Sequence, residues 1–166
     1  MTKQNQPLGY SRTQIALHWG VAGLVAAQYL FKDSISQAWG AYIAGREVTF
    51  DPLIMAHVVG GVAILLLVIW RLVLRFSRGV PPAPEQEPAP LAFVGHLAHL
   101  AFYGLLAGLS ISGALAWFLG IEPAAGLHEI LKMALMALII LHVLAVAVHR
   151  FAFKSNVMKR MMHAQD

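Results

Sequence analysis

The chain has no cysteine. That excludes disulfides, iron–sulfur clusters, thiolate-ligated haem and covalently attached c-type haem, so any redox chemistry must rest on histidine. Charge is also scarce: 12% of the 166 residues are charged against 58% hydrophobic, and the mean hydropathy is +0.66. Soluble domains are about one-quarter charged, so this is the balance of a membrane protein. There is no glycine-rich phosphate loop, no repeat and no polar stretch long enough for a separate soluble domain. The net charge of +4 and pI of 9.7 come without an aromatic-interleaved basic stripe, so nucleic acid is not an expected partner.

What the sequence does have is apolar runs of spanning length, at residues 14–31, 53–74, 91–119 and 125–151. Each meets the ~20 residues needed to cross a hydrocarbon core. The expected fold is therefore all-α, a single four-helix transmembrane bundle over residues 1–166. The first run resembles a secretory signal in its upstream charges, but it carries His18 and is followed by no small-residue cleavage site, so it is read as a retained helix. Lys3, Arg12, Arg71, Arg75, Arg78, Arg150, Lys154, Lys159 and Arg160 fall at one side of these runs, and only Lys32, Arg46 and Lys132 at the other. By the positive-inside rule both termini are expected to be cytoplasmic. SRGVPPAPEQEPAP should be an extended cytoplasmic tether, KDSISQAWGAYIAGREVTFDP an interfacial periplasmic segment, and IEPAAG a very short turn.

The histidines are then sorted by depth. His128 and His142 stand fourteen residues apart in HEILKMALMALIILH, close to four helical turns, on one stripe and ~21 Å apart along the axis. His18, just past Arg12, matches the cytoplasmic depth of His142; His57, just past Pro52, matches the periplasmic depth of His128. The pairs His18–His142 and His57–His128 can each give an iron two axial imidazoles. Ionisable groups inside apolar spans are costly and mark functional sites. Zinc needs three or four convergent ligands, whereas these pair across the bundle. A bis-histidine haem leaves no open position for oxygen and favours electron transfer.

Other residues have weaker roles. Gly60, Gly61, Gly104, Gly108 and Gly113 allow close approach of a macrocycle or of a neighbouring helix. His149, seven residues beyond His142, is an alternative ligand at a poorer depth. His96 and His99, one turn apart, face haem propionates, a quinone or merely the interface, and His163 lies in a polar tail without a specific role.

YSRTQIALHW, AHVVGG, GHLAHLAFYG and the LHE…LH…H series together resemble the bacterial cytochrome b561 family of dihaem membrane proteins, from Tyr10 to about Arg160. The resemblance implies a four-helix bundle with two non-covalent haems b, whose iron ligands are His18, His57, His128 and His142. It further implies an oxidoreductase that passes electrons from periplasmic superoxide to ubiquinone; related sequences are instead cytochrome b subunits anchoring a periplasmic dehydrogenase or hydrogenase. On the superoxide reading, Lys132, one turn after His128, is the candidate landing cation, against a role in snorkelling to headgroups. His149 beside Arg150 is the candidate quinone donor and proton relay, against that of an interfacial histidine. The compact chain, with one modest periplasmic segment, favours the autonomous enzyme over a subunit docked to a partner.

Overall fold

A computed structural model describes residues 7, 9–84 and 87–165. Within them lie six helices and no strand: α1 Arg12–Leu30, α2 Lys32–Ile43, α3 Pro52–Ser77, α4 Ala89–Leu119, α5 Glu122–Phe151 and the short α6 Val157–Arg160. The helix starts follow from local chemistry. Ser11 and Gln14 form a capping box at α1, with Ser11 Oγ accepting from the Gln14 amide and Gln14 Oε1 accepting from the Ser11 amide. Asp51 caps α3 by accepting from the Leu53 amide at 2.8 Å, with Pro52 in the first turn. α4 stops at Gly120, whose φ of 65° is left-handed, and α5 resumes almost at once. The expected IEPAAG turn is therefore tighter than its sequence suggested, because Glu122 and Pro123 already belong to the first turn of α5.

α3, α4 and α5 are long and apolar enough to cross a membrane. The sequence led us to expect four such helices. α1 has 19 residues, but Arg12, Gln14, His18 and Gln28 leave it less apolar than the other three, and it is not among them. Leu66, Ile69, Phe93, Ile140 and Leu144 are among the large apolar side chains exposed on the three long helices; lipid is the solvent that such a surface requires.

Contacts along the helices fix their register. α1 runs against α3 through Gln14 with Gly79 beyond its end, His18 with Arg71, and Gln28 with His57. α4 runs against α3 through Ser110 with Gly61 and His96 with Arg75, and against α5 through Leu109 with His128. α1 also touches α5, where the Tyr29 hydroxyl donates to the Lys132 carbonyl at 2.6 Å. α1, α3, α4 and α5 each contribute to a core of Val21, Val25, Ile64, Val68, Leu106 and Leu135, with Val68 only 1% exposed.

The connections are not slack. The proline-rich segment was expected to be an extended tether rather than a folded unit. It is instead pinned by Gln14, which donates to the Gly79 carbonyl, by Arg160, which donates to the Pro82 carbonyl at 2.7 Å, and by Glu87 against His149. The C-terminal residues fold back on α1: Trp19 donates to the Met161 carbonyl and the Gln165 amide to the Tyr10 carbonyl.

Candidate functional site

At the α2 end, α3 supplies His57 and α5 supplies His128, their ring centres 6.4 Å apart and their planes at 59°. The His128 Nδ1 lies 2.9 Å from the Leu109 carbonyl, which can only accept. The proton therefore sits on Nδ1, leaving the Nε2 lone pair for a metal. Room for this ring depends on Gly113, where a Cβ would lie 3.1 Å from two of its atoms. A Cβ at Gly60 would meet the far end of Gln28, whose amide donates to the His57 carbonyl, so that side chain would have to shift. His57 Nδ1 is buried without a partner among the described residues. Both imidazoles line a cavity of about 730 Å³, together with Gly61 and Gly113 and, as a roof, Ile35 and Trp39 of α2.

At the other end, α1 supplies His18 and α5 supplies His142, ring centres 6.5 Å apart at 56°. Phe102 and His99 of α4 both stand edge-on to the His142 ring, their centres at 5.4 and 5.9 Å. His99 Nδ1 is turned onto the Gly95 carbonyl at 2.7 Å.

A metal sits ~2.0 Å from an imidazole nitrogen, which is itself ~1.2 Å from its ring centre, so two rings facing each other across one ion have centres ~6.4 Å apart. Both pairs have that separation. The apolar surroundings, the cavity volume within the usual range for organic ligands of about 300–1,000 Å³, and paired rather than convergent ligands suit a flat macrocycle. Among the described residues no group of three or more histidines, cysteines or acids gathers around one ion.

Comparison with known proteins agrees with this chemistry. The family model of prokaryotic cytochrome b561 matches residues 9–164. The chain belongs to the prokaryotic cytochrome b561 family. It is similar to a protein named cytochrome b562 from Cereibacter sphaeroides, 34% identical over 157 residues that make up 95% of this chain and 97% of the relative. It is accordingly a membrane electron-transfer protein of a family that binds haem b.

The remaining candidate residues of this cytochrome b561 member are placed as follows. Lys132 is ion-paired with Glu129 on its own helix, and Lys32 with Asp33; both lysines line the cavity that contains His57 and His128. His149 lies outside both pairs, its Nε2 3.3 Å from Glu87 Oε1, both side chains nearly buried, with the Ser155 hydroxyl 3.4 Å from its Nδ1. His96 is exposed and accepts from Arg75 at 3.0 Å, and His163 is exposed.

Sequence reasoning missed three contributors. Arg71 was counted only as an orientation charge, although a charge within an apolar run is itself a signal; it places both terminal nitrogens 3.3 Å from His18 Nδ1. Glu87 was treated as part of a linker, and no local pattern ties it to His149. The roof formed by α2 depends on where that helix folds, which its amphipathic composition does not state.

Proposed function

We propose that this chain is a dihaem b oxidoreductase that takes electrons from periplasmic superoxide and delivers them to ubiquinone, as a four-helix bundle in the bacterial inner membrane with both termini in the cytoplasm. The observation that carries the reading is the presence, on one unbroken helix, of two imidazoles that each face a second imidazole at a separation suited to one iron. Haem b bound in these pairs supplies one-electron transfer without an open coordination position.

The residues divide the remaining work. His57 and His128 hold the periplasmic site and His18 and His142 the cytoplasmic one, ~21 Å apart along α5. The Leu109 carbonyl holds His128 in its ligating tautomer. α1 completes the span, with Gln14, His18 and Gln28 bonded to α3 and to Gly79 just beyond it. Lys32 and Lys132 give the mouth of the periplasmic cavity its cations. The Lys132–Glu129 pair is half open to water and worth less than ~1 kcal/mol, so an arriving anion can compete for the lysine. At the cytoplasmic rim His149 and Glu87 are groups able to hold and pass a proton to the reduced quinone. Two superoxide ions give up one electron each and leave as oxygen; one quinone takes both electrons and two protons.

The test is quinol formation by purified protein supplied with superoxide and ubiquinone. One quinol for every two superoxide ions consumed above spontaneous dismutation is expected. If the haems stay oxidised in superoxide and the chain purifies with a dehydrogenase or hydrogenase that reduces them, it is a partner's cytochrome subunit instead.

A further inference from the structure

Among the described residues Arg71 has a charge and no counter-charge in contact with it. It stands in the apolar run of α3, and its contacts are the His18 ring, the Leu17 carbonyl at 3.5 Å and the face of Tyr103, 5.9 Å from the ring centre. None is an anion. The acids that form ion pairs among the described residues are engaged elsewhere, Glu87 by His149, Asp33 by Lys32 and Glu129 by Lys132. A guanidinium does not shed its proton, and a cation held in an apolar span without a partner is expensive.

Its hydrogen bond to His18 also conflicts with ligation. Arginine only donates, so His18 Nδ1 is the acceptor and the neutral ring carries its proton on Nε2. A ring that gives Nε2 to a metal carries its proton on Nδ1, and two donors would then face each other at 3.3 Å. The other site has no such conflict, since His128 Nδ1 donates to a carbonyl. Occupying the His18–His142 site must therefore free Arg71 for another acceptor. The group that the site would hold brings two carboxylates of its own, and the guanidinium fork matches a carboxylate in two-pronged geometry.

We infer that Arg71 is an anion-binding residue that takes a carboxylate of the porphyrin held between His18 and His142. The inference rests on the proposal that this pair binds haem. Arg75 lies one turn further along the same helix, and with Arg71 and Arg160 it acts on the half-buried Tyr10 phenol, whose pKa is raised by burial against the pull of all three guanidiniums. The positive field thus continues outward from Arg71 to the end of the helix.

The experiment compares haem b with its dimethyl ester, which lacks the two carboxylate charges, binding to the full chain in detergent. His57→Ala serves as background so that only the His18–His142 site is read. This background should bind one haem b per chain and bind the ester about 10- to 100-fold more weakly, the value of a hydrogen-bonded charge pair. Adding Arg71→Gln should shrink the difference to about threefold or less. An unchanged difference in Arg71→Gln, or none in the background itself, overturns the inference while leaving the haem reading standing. Absence of any haem in the background overturns both. If Arg71→Gln does not fold, Arg71→Lys carries the test: the difference should fall as a point charge replaces the fork, and an unchanged value overturns the assignment. Phosphatidylglycerol in the detergent should not remove the advantage of haem over ester; if it does, the anion is a lipid phosphate and the assignment is wrong.

Discussion

Gly113→Ala puts a methyl group where the His128 ring now lies. The new Cβ would be 3.1 Å from both Cε1 and Nδ1 of that ring, whereas ordinary contact begins at 3.4 Å, so the imidazole must retreat by at least ~0.3 Å. It is held from the same direction by the 2.9 Å bond to the Leu109 carbonyl, and the 6.4 Å spacing to His57 leaves little slack for a bound ion. Overpacking of this kind costs about 1–3 kcal/mol, which is roughly 5- to 150-fold in affinity for a ligand held by the displaced ring. Haem titration of the apoprotein, followed by visible absorption, should show one site weakened by that factor and the other unchanged. Gly23→Ala is the control: a Cβ there meets nothing within 4 Å, and alanine favours a helix by up to ~1 kcal/mol. Gly113→Ala protein with two sites of wild-type affinity would refute the placement of His128 as a ligand.

Three other perturbations separate the parts of the account. His142→Ala and His18→Ala should each remove the same haem and leave the one at His57–His128, as read by absorption and haem content; retention of both haems in His142→Ala together with loss of one in His149→Ala would make His149 the ligand. Reduction by superoxide should slow as salt rises, since the Debye length is only ~8 Å at physiological ionic strength, and Lys132→Glu should slow it further in stopped-flow measurements; indifference to both would point to another entry or a protein donor. His149→Ala should keep both haem bands and fast reduction while quinol formation falls, and Glu87→Gln should show the same split. Normal quinol formation in both would move the quinone end toward His96 and His99.

Much of this arrangement was legible in the sequence because helices obey simple arithmetic. Fourteen residues return His142 to the stripe of His128, and counting inward from Arg12 and Pro52 brings His18 and His57 to matching levels; the two close ring pairs follow from those numbers. What escaped was long-range. Nothing local says that Glu87 will fold from a proline-rich connection onto His149, or that α2 will roof the cavity over His57. The Glu129–Lys132 pair was visible as a three-residue spacing, and reading Lys132 as the landing cation overlooked it. The first apolar run looked like the others by length, yet the side chains that bring His18 and Gln28 inward are the ones that lower its hydropathy.

The central claim, two bis-histidine haem sites on one chain, is tested most directly by a pyridine haemochrome assay on the purified wild-type protein. The account predicts two haems b per chain. One haem or none, at full recovery of folded protein, would contradict it.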